Sequence, residues 1–326
     1  MTSTDFAASA SRMINSLSGV GAFVAVANAG SFARAADVLG IARPSVSKSV
    51  LRLEKHLGVS LLRRTTRSVS LTAEGAAFLE ICMSSVQALQ SAAVSLRDSP
   101  AHPRGPVRIS ATTGFGRRFI APLLHDFQAS HPDVEIDFRL EDHEVDFARE
   151  SVDVVIRSGR LAPREMVARE IAPMQMITCA APRYLQRHGV PGEPRALLQH
   201  RCIGRRLASG RLYQWEFLHE GVLQRLDLPC SLSFNDAELV VSAAREGMGI
   251  AQLPAYAAMD ALRSGALRVL LPETVPEGRS HYLCFQQRRL LAPRIRAFIT
   301  HVLGHAASIA AGITLSRQAL VQLSKA

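Results

Sequence analysis

The stretch that decides the fold of the amino-terminal part is Ser31–Gly58, SFARAADVLGIARPSVSKSVLRLEKHLG. Phe32, Ala35, Ala36 and Leu39 fall at offsets of three, four and seven, the spacing of one buried stripe on a helix. Ser31 stands where an N-cap is wanted and Gly40 where a helix stops. A second helix begins around Pro44, whose missing N–H has no partner in a first turn anyway. On it Val46, Val50, Leu53 and Leu57 point inward, leaving Ser45, Ser47, Lys48, Ser49, Arg52 and Lys55 outward. That face carries short hydroxyls and cations, with no acid before Glu54. It fits a DNA major groove without bulk and without repelling phosphates. Taken alone it also suits an ordinary solvated helix, so the flanking segments decide.

Upstream, LSGVGAFVAVANAG reads as a helix with Phe23, Val24, Val26 and Ala27 at helical spacing and Gly30 at its end. The run Gly19–Ser31 has an Ala-x-Ala step and Arg12 before it, a weak likeness to a secretory signal; the helix is the better use of those residues. Downstream, VSLLRRTTRSVSLT offers two β-prone pieces, Ser60–Leu62 and Ser68–Leu71, around RRTTR. This predicts a small hairpin with Arg63, Arg64 and Arg67 at its tip, suited to gripping phosphates or the minor groove. Thr72 caps a further long helix, with Glu74 near its positive end. Phe78, Cys82, Val86, Leu89, Ala93 and Leu96 recur every three or four residues along it, a seam for pairing with a second copy. Pro100, Pro103 and Pro106 then mark a linker.

Charge supports this reading. Up to Thr72 the chain has nine cations and three acids, so six of the ten net positive charges of the 326 residues fall there. A pI near 10.1 favours an anionic partner. Cys82, Cys179, Cys202, Cys230 and Cys284 are far apart and odd in number, arguing against a disulfide framework or zinc ribbon and for a reducing, cytoplasmic compartment. No run of about 18 apolar residues stands out, so no membrane span is expected.

The motifs GSF.RAA..L, PSVSK.V..LE..LGV.LL.R and R.V.LT.EG together resemble the winged helix-turn-helix and linker helix of LysR-type transcriptional regulators, and the layout follows that family over roughly Ser16–Val302. The resemblance implies DNA contacts by Ser31, Arg34, Arg43, Pro44, Ser45, Ser47, Lys48, Arg52, Arg63, Arg64 and Arg67. It implies dimerisation through Phe78, Cys82, Val86, Leu89 and Leu96, and a homodimer or homotetramer on a pseudo-palindromic duplex. Two departures stand out. Ala42 replaces the family's usual capping Ser, a loss of about 1 kcal/mol of capping. Arg43 replaces the usual Gln, inviting a guanine contact instead of adenine.

After Gly105 the rhythm changes. Strand-like VRISA (107–111), VEIDFRL (134–140) and DVVIR (153–157) alternate with a helix from about Phe119 to Ser130, which argues a parallel α/β sheet. A second set follows in QMITC (175–179), CSLSF (230–234) and IAQL (250–253), before HYLCFQ (281–286) and a helix over 293–302 return to the first subdomain. This resembles the family's two-lobed, periplasmic-binding-protein-like effector domain, whose cleft holds a small molecule near strand ends and helix N-termini. By family position Thr112, Thr113, Gly114, Phe115, Arg157 and Asn235 are the candidate effector contacts, and the N–H groups after Thr112 suit a carboxylate. Structural roles compete: Thr112 and Asn235 as helix caps, Arg157 paired with an acid.

The expected fold is thus an all-α winged helix-turn-helix with a long linker helix, then a two-lobed α/β domain. The divisions are a flexible extension (1–16), the DNA-binding domain (17–72), the linker helix (73–98), a hinge (99–106), the effector domain (107–303) and a carboxyl-terminal extension (304–326). Within the effector domain, lobe one takes about 107–172 and 272–303 and lobe two 173–271. No G-x-S-x-G elbow or P-loop is present, and GVGAFV and GFGRRF lack a third glycine. His301 and His305 read as surface residues, and EDHEVD (141–146) as a solvated loop in which Asp146 caps a helix. No catalytic residue, cofactor or metal is expected. The rival from another class is a solute-binding protein or small-molecule enzyme with a basic amino-terminal extension.

Overall fold

The computed structural model describes residues 19–64, 69–82, 102–143, 145, 147, 150–159, 166–286 and 291–325. The chain divides into an amino-terminal unit reaching Leu96 and a carboxyl-terminal unit comprising Arg97–Phe147 and Val152–Ala326.

In the amino-terminal unit, α1 (Gly19–Ala29), α2 (Phe32–Leu39) and α3 (Arg43–Leu57) precede a hairpin of β1 (Leu62–Arg64) and β2 (Val69–Leu71). A fourth helix, α4, starts at 73 and is described to 82. Phe23, Val26, Ala35, Val46 and Val50 have no solvent exposure and form the centre of the core. Leu57 is instead 39% exposed, so the inward stripe of α3 ends at Leu53. Gly40 closes α2 in the left-handed region (φ 64°), as its place in the sequence predicts.

The hairpin is displaced from its expected position. Leu61 and Leu62 are buried in the helical core, and pairing starts only there: Leu62 opposite Leu71, Arg63 opposite Ser70, Arg64 opposite Val69. Arg63 and Arg64 therefore lie within a strand, not at the tip; Arg67 lies outside the described residues. Thr72 caps α4, its hydroxyl accepting the Gly75 N–H at 2.9 Å and donating to the Ser60 carbonyl at 2.7 Å. Gly75 is required by packing, because a Cβ there would stand 1.9 Å from the Leu61 carbonyl oxygen.

The carboxyl-terminal unit contains two five-stranded sheets. The chain runs β3 (Gly105–Ala111), a short α5 (Thr113–Phe115), a wide π-turn over Gly116–Ile120, α6 (Ala121–Ser130), β4 (Val134–Leu140), β5 (Val154–Gly159) and β6 (Met166–Pro173). It crosses to the second lobe with β7 (Met176–Ala180), α7 (Pro182–His188), β8 (Cys202–Arg205), the hairpin β9 (Trp215–His219) and β10 (Val222–Leu226), and β11 (Cys230–Phe234). Then come α8 (Ala237–Arg245), β12 (Ile250–Pro254), α9 (Ala255–Arg263) and β13 (Arg268–Leu270), before β14 (Ser280–Gln286) returns to the first lobe. The first sheet is ordered β4-β3-β5-β14-β6 and the second β11-β8-β12-β7-β13. Both are mixed, which corrects the purely parallel expectation: β3 runs parallel to β4 and β5, whereas β14, arriving from the other lobe, runs antiparallel to β5 and β6.

The tail is structured. Helices α10 (Pro293–Gly304), α11 (Ala306–Ile313) and α12 (Arg317–Lys325) follow. By length and composition Pro293–Lys325 would pass as a membrane span. Its breaks after Gly304 and at 314–316, and its buried residues, show a different use: Ile309 and Ile313 enter the lobe-one core and Leu320 the lobe-two core. Between them Gln175 clamps the connecting turn, accepting the Leu315 N–H at 2.7 Å and donating to its carbonyl at 2.8 Å. His301 and His305 are half-buried, not surface residues; His301 Nε2 lies 3.0 Å from the Leu123 carbonyl, tying α10 to α6. All five cysteines are free thiols, and burial pushes Cys179 and Cys202 up to about 12.

Candidate DNA interface and effector cleft

On α3 the side chains of Arg43, Pro44, Ser45, Lys48, Arg52 and Lys55 are exposed, while Ser47 is half-buried. Leu51, 52% exposed, joins this face and was missed by sequence reasoning; an apolar group there can meet a thymine methyl. Ala42 occupies the N-cap, and no side chain caps α3. Ser31 holds the N-cap position of α2, yet its hydroxyl makes no capping bond. Arg34 and Arg63 are exposed. The acid of α3 is not a repulsive element on this face. The Glu54 carboxylate accepts the N–H groups of Leu61 and Leu62, at 2.9 and 3.1 Å, and so fixes the start of the wing to α3.

Two residues of the expected seam on α4 are described. Phe78 packs on Phe23 with ring centroids 5.7 Å apart, and Cys82 is 5% exposed within the helical core. Phe78 is thus half-buried against the helical core, and Cys82 is part of it. Val86, Leu89, Leu96 and the rest of that seam lie outside the described residues, as does Asp146.

Between the two sheets of the carboxyl-terminal unit lies a cavity of about 450 Å³. Thr112, Thr113, Gly114 and Arg157, all expected there, line it. Thr112 stands at the end of β3, its hydroxyl 3.1 Å from that of Ser158, which lies 2.7 Å from His281 Nδ1. The Thr113 N–H is already taken by the Asp142 carboxylate at 3.0 Å. Arg157 donates to the carbonyls of His143 and Val145 at 3.4 and 3.3 Å.

Two expected contacts are displaced. Phe115 is fully buried and stacked on the His281 ring at 3.8 Å, a core residue beneath the cleft. Asn235 is exposed and not in the cavity lining; the helix cap is its neighbour Asp236, which accepts from the Glu238 and Leu239 N–H groups and does line the cleft. Asx residues in tandem offer two caps, and the strand end decides between them.

Polar residues lining the cleft that the sequence did not single out are Arg205, Arg211, Tyr213, Glu216, Tyr256 and Arg279. Glu216 is buried at 2% exposure and neutralised by Arg279 at 2.8 Å and Arg225 at 3.1 Å. Arg279 also sits over the Tyr213 ring, 5.5 Å from its centroid. Arg205 ends β8, Glu216 lies in the unforeseen hairpin, Tyr256 opens α9 and the others lie in loops, so no periodic pattern marks them as a group. His281 has no solvent exposure and burial pushes its pKa down to about 3, so it is a neutral ring.

A winged helix-turn-helix with a cationic reading face, joined in one chain to a two-lobed domain around a polar cleft, defines the class: a ligand-responsive DNA-binding regulator. The comparisons give the family. Residues 17–76 match the bacterial regulatory helix-turn-helix of the LysR family, and residues 100–307 the LysR substrate binding domain. An HTH-type transcriptional repressor of Pseudomonas aeruginosa is 35% identical over 297 residues, covering 89% of this chain and 92% of the relative. The regulator PgrR of Escherichia coli is 31% identical, with 85% and 94% covered. Among solved structures, the full-length Vibrio cholerae virulence activator AphB superposes with a TM-score of 0.61 at 25% identity, covering 88% of this chain and 98% of that one. CrgA of Neisseria meningitidis superposes with 0.56 at 27%, with the same coverage. The chain belongs to the LysR-type transcriptional regulator family. It is a DNA-binding regulator with an effector-binding domain, not an enzyme.

Proposed function

We propose that this regulator senses a small carboxylate in the cleft, and that the bound state changes how the protein engages a pseudo-palindromic operator as a homodimer or dimer of dimers. The supporting observation is the polarity of the cleft. Its acids each have a partner in the protein, whereas hydroxyl and guanidinium donors from both lobes line the cavity. A ligand that favours one arrangement of the lobes shifts the population of that arrangement.

In this reading Arg43, Ser45, Lys48 and Arg52 face the bases and nearby phosphates, Ser47 approaches from the edge of the face, and Arg34, Arg63, Arg64 and Arg67 hold the backbone. The division of labour follows the expected boundaries, with 17–72 reading DNA, 73–98 pairing protomers and 107–303 sensing. A thermal-shift screen of the full-length protein against aliphatic and aromatic carboxylates tests the sensor. A carboxylate at 100 times its dissociation constant adds about 2.7 kcal/mol of stability to the state that binds it. Stabilisation by carboxylates and not by their neutral amides is expected. Equal response to both sinks the anionic effector.

A further inference from the structure

Among the described residues the Arg205 guanidinium in the cleft has no acid partner. Arg205, at the end of β8, lines the cavity, and its Nε is buried without a hydrogen-bond partner. An N–H withdrawn from water wants an acceptor, and one on a cation is best matched by an anion. The neighbouring acids are engaged elsewhere. Asp142 accepts from the Thr113 N–H, Asp236 caps α8, Glu238 pairs with Arg117 at 3.0 Å, and Glu216 holds Arg225 and Arg279. Among the described residues no carboxylate pairs with Arg205.

Tyr256 adds a second donor. It opens α9, which follows the lobe-two strand β12, yet its ring is packed edge-on in lobe one, against Phe115 at 6.0 Å and Phe119 at 5.5 Å. Its hydroxyl reaches the cavity beside the start of α5. A Cβ on Gly114 would stand 3.1 Å from that oxygen, so glycine keeps the approach open. Burial pushes the phenol up to about 12, with Arg205 pulling it the other way, so the hydroxyl keeps its proton; both groups line the same cavity.

We propose that Arg205 and the Tyr256 hydroxyl form the anion anchor of the cleft, binding the charged end of a small carboxylate. Arg157, bonded to the His143 and Val145 carbonyls, is not that anchor. Arg205 rides on the lobe-two sheet and Tyr256 is wedged in the lobe-one aromatic cluster, so an anion held by both ties the lobes together. The inference rests on the anionic-effector reading above and names the groups that carry it.

Bromide is a probe for such a site that needs no knowledge of the effector. Crystals of the full-length protein soaked in sodium bromide should show an anomalous peak in the cleft, in contact with the Arg205 guanidinium. That peak should vanish in Arg205→Met, weaken in Tyr256→Phe, which keeps the packed ring, and persist in Arg157→Ala. For a carboxylate that stabilises the wild type, such as benzoate if it does so, Arg205→Met should weaken binding about 10-fold or more. A cleft peak against Arg157 or elsewhere, unchanged in Arg205→Met, overturns the anchor and leaves an anion-binding cleft. A wild-type cleft with no bromide peak overturns the anchor together with the anionic reading it rests on.

Discussion

The carboxylate of Glu54 accepts the backbone N–H of Leu61 at 2.9 Å, across a loop that links the end of α3 to the wing. The same oxygen accepts the Leu62 N–H. One side chain thus satisfies two donors and sets where the hairpin begins. Glu54→Ala leaves both N–H groups short of an acceptor and should cost about 1–3 kcal/mol. Glu54→Gln, which keeps a carbonyl oxygen, should cost less. Denaturant melts of the two variants check this; equal losses would show that the bonds to Leu61 and Leu62 are not what matters.

Gly75 offers a sharper test of the same corner. Its Cβ position overlaps the Leu61 carbonyl, 1.9 Å away, and that carbonyl is backbone and cannot swing aside. Gly75→Ala should destabilise the amino-terminal unit by about 3 kcal/mol, the upper end for an overpacked core, because backbone must move. Proteolysis of the variant should cut within that unit first. A stable, uncut variant would contradict the packing.

The vacant cap of α3 invites a gain. Ala42→Ser supplies an oxygen at a position whose extended backbone (φ −64°, ψ 139°) suits a cap, and should add about 1 kcal/mol. Arg43→Gln should move base preference at one operator position from guanine towards adenine. Binding to single-base operator variants reads the second effect; an unchanged preference removes Arg43 from base reading.

His281 makes stability depend on pH. Burial lowers its folded pKa to about 3, below that of an exposed histidine near 6.5, so the unfolded chain takes up a proton that the folded protein refuses. The stabilising difference is whole above about pH 6.5 and is lost as pH falls towards 3, by at most about 1.4 kcal/mol per pH unit. His281→Phe keeps the stack on Phe115 and should flatten that part of the profile. Parallel slopes for variant and wild type between pH 6.5 and 4 would show that other groups govern it.

The tail links both cores. Leu320→Ala removes a side chain that is 2% exposed in the lobe-two core and should cost about 2–5 kcal/mol. Calorimetry checks it, and a loss under about 1 kcal/mol would mean that α12 is loosely held.

The parts legible in the sequence were those with a strong local period or a dense motif. The stripe Phe32–Ala35–Ala36 and the inward Val46, Val50 and Leu53 are buried as spaced, and β4 and β11 run over the residues expected. Short strands such as β8 and β13 carry too few residues to show alternation, and the hairpin of β9 and β10 was missed with them. The cleft was half legible. Thr112, Thr113, Gly114 and Arg157 stand at strand ends that a motif marks, whereas Arg205, Tyr256 and Arg279 meet only through the tertiary fold. Phe115 was misplaced because alternate residues after a strand can turn into a core as easily as into a cleft.

The central claim is that the outward face of α3 reads duplex DNA. The most direct measurement is the salt dependence of binding of the full-length protein to a fluorescent duplex selected from genomic fragments, compared with Lys48→Ala and Arg52→Ala. If these cations meet phosphates, each variant should bind more weakly and lower the slope of log affinity against log salt by about 1. Variants that fold normally and keep both the wild-type affinity and the wild-type slope would contradict it.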